Sequence, residues 1–253
     1  MDIANELGYS DVGIFNALER FNIDTRKAEN HFNPTNKFIE LLDGTLLGDG
    51  WLRGYKTSGD YGLEQNNRPY IKWMYDKFNN FGIDGRIRER TTTRKEIARN
   101  FGRNPPEDDK ELNSYTFNTL RYKELKNQYS RWYPNGSKII PKDINITPLN
   151  MFIWFLEDGS AYWGSTKKVK FHTNGFNKEH VLMLKDKLSN ELNISLSLYE
   201  TPDDRGKQPV LLINRVKNMY KFIDYIIDIP EELKPYYGYK FPNLKEPALK
   251  LRR

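Results

Sequence analysis

Apolar positions run almost unbroken through Phe38–Trp51 and again through Thr147–Ser160, and each run ends on an acid followed by glycine, Asp49-Gly50 and Asp158-Gly159. In the first run Phe38, Leu41, Leu42 and Leu46 recur at helical spacing. That pattern predicts a buried helix, with Gly50 free to take the left-handed conformation that stops one. Gly44 and Gly48 lie four apart, so one stripe of the helix carries no side chains and a second helix can approach almost backbone to backbone. The second run supplies that partner, with Thr147 as a good N-cap and Pro148 suited to the first helical position.

Between the two runs the hydrophobic period changes repeatedly. Trp51–Tyr55 and Tyr61–Gln65 read as short strands about the turn Ser58-Gly59-Asp60, and Pro69–Phe81 takes helical spacing up to Gly82. Gly85–Arg94 reads as a strand whose alternation sets Arg86, Arg88 and Arg90 on one face. A loop over Phe101–Lys110, a strand near Tyr115–Thr119 and a helix near Tyr122–Trp132 follow. Tyr133–Ile146, with Pro134, Gly136 and Pro141, reads as the connection between halves.

The second half then repeats the first. Strands are expected at Ser160–Trp163 and Val169–Thr173, a helix at Lys178–Leu192, strands at Ser195–Tyr199 and Pro209–Ile213, and a helix at Val216–Ile227. Lys168, Lys170 and His172 alternate as the arginines do, and a lysine shortly before proline occurs once per half, at Lys138 and Lys240. The expectation is an α+β chain of two pseudo-symmetric halves, each helix, two strands, helix, two strands, helix (αββαββα), over residues 37–143 and 144–253. Residues 1–36 stand apart. Within them 2–23 are patterned like the core of a helix-turn-helix, equally consistent with a small helical hairpin packed on the main body, and His31–Asn36 reads as a linker.

Composition narrows the chemistry. Forty Lys and Arg against 34 Asp and Glu give +6 and a pI near 9.2, a modest excess that favours a polyanionic partner, nucleic acid first. No run approaches the roughly 18 apolar residues of a membrane span and no basic-then-apolar leader opens the chain, so an intracellular protein without membrane contact is expected. There is no cysteine, and His31, His172 and His180 form no ligand pattern, which leaves hard oxygen-ligand metals rather than zinc. If the two acid-ended helices pack in parallel, two carboxylates and two negative helix ends meet, and a divalent cation is the natural way to neutralise them. The candidate metal set is Asp49 and Asp158 with Gly48 and Glu157 directly before them, and either Asp158 or Glu157 could be the second carboxylate. The Glu-x-Lys patterns at 124–126 and 232–234, which could suggest a different nuclease class, are too common on helix surfaces to carry weight.

At these residues the chain resembles the LAGLIDADG homing endonucleases, in their single-chain, two-motif, intron-encoded form. Leu42–Gly50 keeps the leading leucine, Gly44, a small Gly48, Asp49 and Gly50 of the nine-residue signature. Met151–Gly159 keeps Asp158 and Gly159 but has Ile153 for the third-position glycine and Glu157 for a small residue. The resemblance spans roughly residues 37–245 and implies a saddle of two sheets over double-stranded DNA with a long target site. It implies Asp49, Asp158, Lys138 and Lys240 as catalytic residues of a monomer that hydrolyses one phosphodiester per strand with Mg²⁺, with Mn²⁺ able to substitute and Ca²⁺ supporting binding only. Arg86, Arg88, Arg90, Lys168, Lys170 and Gln65 are the expected DNA-binding residues. The alternative on the same fold is an intron RNA maturase or a DNA-binding regulator that does not cut.

Overall fold

The computed structural model describes residues 30–100, 104–164, 167–203 and 206–242, so the expected N-terminal hairpin at 2–23 lies outside the described residues. The first half contains α1 (Asn36–Leu47), β1 (Trp51–Gly54), β2 (Gly59–Gln65), α2 (Arg68–Asn79), β3 (Gly85–Thr93), α3 (Arg94–Asn100), β4 (Glu111–Thr119) and α4 (Lys123–Trp132). The second contains α5 (Pro148–Glu157), β5 (Gly159–Tyr162), β6 (Lys168–His172), α6 (Lys178–Leu192), β7 (Ser197–Asp203), β8 (Gly206–Ile213), α7 (Val216–Tyr225) and α8 (Lys234–Tyr237), with 3₁₀ turns at Glu231–Leu233 and Gly238–Lys240. Each half forms a four-stranded antiparallel sheet, ordered β1-β2-β4-β3 and β5-β6-β8-β7. The identical order is the internal repeat in three dimensions.

The helices α1 and α5 form the seam between the halves. Residues 41–47 of α1 and 150–156 of α5 are all buried, as helices apolar on every side should be. Thr35 caps α1 by accepting the Phe38 N–H at 3.3 Å, and Thr147 and Asn150 form a reciprocal capping box on α5. The glycine stripe is the crossing point. A Cβ on Gly44 would lie 2.8 Å from Asn150 Cα and 3.0 Å from Ile153 Cβ, and one on Gly48 would lie 2.4 Å from Glu157 Oε2. Ile153 and Glu157, the two departures from the signature, therefore fill the space that the glycines of the other helix leave.

Three expectations need correction. Gly50 does not adopt positive φ; its missing side chain is required because a Cβ would meet Thr45 Oγ1 at 2.6 Å and Thr45 O at 2.8 Å. The β4 strand begins at Glu111, not near Tyr115, because it pairs with β3 along its whole length, from Gly85↔Thr119 to Thr93↔Glu111. Residues 94–100 are helical, nucleated where Glu96 accepts the Thr93 N–H at 3.1 Å and Thr93 accepts the Glu96 N–H at 3.2 Å. Among the described residues no helix is long and apolar enough to cross a membrane.

Candidate active site

Both acid-glycine pairs sit where a seam helix passes into the first strand of its sheet: α1 ends at Leu47 and α5 at Glu157. The helix crossing therefore brings Asp49 and Asp158 to the same end of the seam, where the negative ends of both helix dipoles also point. Each lysine predicted from the repeat arrives there. Lys138 Nζ donates to Gly50 O at 2.8 Å and Gly48 O at 3.4 Å, and Lys240 Nζ donates to Leu156 O at 2.6 Å and Phe155 O at 3.0 Å. A cation on the last carbonyls of a helix is a favourable use of its dipole. Lys240 is itself fixed, since Trp163 Nε1 donates to its carbonyl at 3.0 Å, and its ammonium lies 5.8 Å from the Phe155 ring centre and 5.5 Å from that of Tyr237.

The charges interact strongly. Burial and the neighbouring Asp49 push the Asp158 carboxyl up to about 7, against the opposing pull of both lysines. The Asp49 side chain reaches solvent but is closely surrounded by protein, and this partial burial raises its carboxyl while Gln65 and the two lysines pull it down. Burial lowers Lys138 and Lys240 to about 8, and the three carboxylates Asp49, Glu157 and Asp158 oppose that change at each. Such mutual perturbation marks four groups that share one electrostatic environment, as functional sites do.

Gln65, expected among the groove readers, is placed elsewhere: its side-chain amide donates to Asp49 Oδ2. Glu157 turns away from Asp158 and into the first half, where its carboxylate accepts from Thr45, Tyr70 and the Asp49 peptide. With Glu157 so engaged, Asp158 is the carboxylate of the second helix left for a cation. Among the described residues no three His, Asp or Glu side chains gather closely enough to share one ion. A metal held by Asp49 and Asp158 would take its other oxygens from peptide carbonyls such as that of Gly48, from water and from phosphate, a donor set suited to Mg²⁺.

The sheet faces turned away from the helices carry the other candidates. Arg86, Arg88 and Arg90 are exposed and share the outer face of β3, in register with Asn118, Thr116 and Ser114 of β4. Lys168 and Lys170 alternate on β6, with Lys168 Nζ 5.0 Å from the centre of the Tyr162 ring. On the outer face of the first sheet Arg53 forms a two-point pair with Asp60, at 2.8 and 3.1 Å, and Tyr55 OH donates to the same carboxylate at 2.9 Å. This cluster carries no signal in the sequence beyond its alternation.

Comparison with known proteins adds matches in family, sequence and fold. The profile of the LAGLIDADG DNA endonuclease family matches residues 39–222. The chain is 27% identical over 216 residues to cytochrome b mRNA maturase bI2 of Debaryomyces hansenii, covering 81% of this chain and 73% of that one. It is also 27% identical over 184 residues to a probable intron-encoded endonuclease 1 of Wickerhamomyces canadensis, covering 69% and 72%. The fold is similar to that of the homing endonuclease I-WcaI bound to its DNA recognition sequence, with a TM-score of 0.63 at 22% identity over 80% of this chain and 85% of that one.

Proposed function

The chain belongs to the LAGLIDADG DNA endonuclease family, in its single-chain, two-motif form, and from that premise we propose that it is a site-specific endonuclease that cuts both strands of a long DNA target. The observation that carries this reading is the convergence of Asp49, Asp158, Lys138 and Lys240 at one end of the α1–α5 seam, between two sheets with basic outer faces. In this reading Asp49 and Asp158 hold Mg²⁺, Mn²⁺ can replace it, and Ca²⁺ supports binding without cutting. The bound ion would supply an activated water and offset charge on the departing oxygen. Lys138 and Lys240, protonated and tethered to helix-end carbonyls, offset the negative charge that grows on the phosphate. Gln65 holds the Asp49 carboxylate in one orientation. Arg86, Arg88, Arg90, Lys168 and Lys170 bind the duplex, with arginine suited to guanine edges and to phosphate.

The test is cleavage of a randomised plasmid library supplemented with the DNA flanking the gene, in Mg²⁺ and separately in Ca²⁺. Recurrent Mg²⁺-dependent ends at one site, lost in Asp49→Asn with binding retained, are expected. Cleavage that survives in Asp49→Asn would remove that residue from the mechanism. The relative named a cytochrome b mRNA maturase supports a second reading, intron RNA binding on the same fold. Tight intron-RNA binding without any DNA cleavage would favour it.

A further inference from the structure

Glu157 and Gly48 hold matching places in the repeat, each directly before an aspartate, yet they do opposite things. The Glu157 side chain leaves α5 and occupies the space opened by the missing side chain of Gly48, where a Cβ would sit 2.4 Å from Glu157 Oε2 and 2.7 Å from Glu157 Cβ. There Oε2 accepts the Asp49 peptide N–H at 2.7 Å. Oε1 accepts from Thr45 Oγ1 at 2.9 Å and from Tyr70 OH at 2.7 Å, and Thr45 Oγ1 meets Tyr61 OH at 2.8 Å. The carboxylate is thus pinned by the first half at one oxygen and holds the backbone of Asp49 with the other. Among the described residues nothing reciprocal is present: the Asp158 N–H donates within its own helix, to Trp154 O at 2.9 Å, and Gly48 has no side chain to return the contact.

We propose that Glu157 is a positioning residue that sets the backbone of Asp49 from the opposite half of the chain, so that the first half depends on a brace the second half lacks. The proposal rests on the endonuclease reading and deepens it, because it makes the two strand cleavages unequal in what they require.

The experiment compares the parent chain with Glu157→Ala and Glu157→Gln on a supercoiled plasmid carrying the target, with each strand end-labelled, and follows amide exchange of Asp49 in the metal-free proteins. A displacement of a reacting group by about 1 Å can slow a reaction roughly a hundredfold, so a partial loss of the brace is expected to slow one strand by roughly tenfold more than the other. Glu157→Ala should therefore accumulate nicked circles, with the break always in the same strand, before linear product forms, and its Asp49 amide should exchange faster. Glu157→Gln keeps an oxygen for that N–H and should cut both strands at near-parental rates. Equal slowing of both strands, or unchanged exchange at Asp49, would overturn the proposal. If Glu157→Ala does not fold, Tyr70→Phe removes one bond to the same carboxylate and is expected to give the same strand bias, weaker; an unbiased Tyr70→Phe would count against the brace. If the parent chain cuts no DNA, the endonuclease reading fails, while amide exchange still decides whether Glu157 holds Asp49.

Discussion

Gly44→Ala tests the seam where two arguments predict opposite signs. Gly44 lies inside α1, and alanine in a helix interior is favoured over glycine by about 0.8–1.0 kcal/mol. Propensity alone predicts a more stable protein. The packing predicts the reverse. The new Cβ would lie 2.8 Å from Asn150 Cα, 2.9 Å from Asn150 O and 3.0 Å from Ile153 Cβ, where favourable carbon contacts are about 3.5–4.0 Å. Two of those three atoms are backbone, and Asn150 cannot yield, because its side chain accepts the Thr147 N–H at 2.9 Å and donates to Asn145 O at 2.6 Å. The helices must separate instead. Overpacking typically costs about 1–3 kcal/mol, and contact with fixed backbone places this site at about 3, for a net loss of about 2 kcal/mol after the propensity gain. At about 2–4 °C per kcal/mol for a chain of this size, the melting temperature should fall by about 4–8 °C in calorimetry or circular dichroism. Gly238→Ala is the control: φ is −54°, nothing lies within 4 Å of the added Cβ, and a gain of about 0.4–1 kcal/mol is expected. A Gly44→Ala protein that melts at or above the parent would refute the close-packed seam.

Three further outcomes are expected. Arg131→Met should lower stability by about 3–5 kcal/mol in chemical denaturation, because Asp43, 2% exposed, would keep only Trp132 Nε1 at 3.0 Å after losing guanidinium bonds at 2.6 and 3.0 Å. A loss under about 1 kcal/mol would mean that Asp43, already raised by burial, takes up a proton instead. Metal affinity should depend on pH: with Asp158 at about 7, a proton must leave before a cation binds, so the Mg²⁺ midpoint for cleavage should rise roughly tenfold per pH unit below 7 and level off above it. A midpoint independent of pH between 6 and 8 would argue against Asp158 as a ligand, over the window of about one unit either side of 7. Arg88→Ala should relax preference at one base pair by about 1–3 kcal/mol in a binding-site selection; a salt slope reduced by about one with preference unchanged would place Arg88 on phosphate.

Much of this arrangement could be read from the sequence because its signals are local and doubled. Thr147-Pro148 and the two acid-glycine ends mark the seam helices without reference to the rest of the chain, and the second half repeats the first closely enough to pair Lys138 with Lys240. Fold and family follow from those features. The parts that escaped depend on long-range geometry. Asp43 meets Arg131 and Trp132 only because α4, packed on β1 and β2, delivers its C-terminal end to α1 from 88 residues away, and Gln65 differs from the groove-facing residues of β2 only by pointing to the other side of the sheet. The turn at Thr93-Arg-Lys-Glu96 did carry a local signature, Thr-x-x-Glu, but β3 runs directly into it and the strand pattern hid the helix start. The direction of Glu157 could not be read at all, since an acid beside an acid looks like an alternative ligand until the empty side of Gly48 is seen to receive it.

The same exchange bears on why both halves lie in one chain. A first half facing a copy of itself would set Gly44 and Gly48 against Gly44 and Gly48, a pairing that lets the backbones close together but offers no carboxylate to the Asp49 N–H. A second half facing a copy of itself would set Ile153 against Ile153 and bring two Glu157 carboxylates together, each without the Thr45, Tyr70 and Asp49 N–H donors that hold it here. Uncompensated buried carboxylates are strongly unfavourable. The mixed pairing seats Glu157 over Gly48 and satisfies the glutamate. The departures from the signature in the second motif are therefore complements to the glycines kept in the first, and together they specify which helix each one meets.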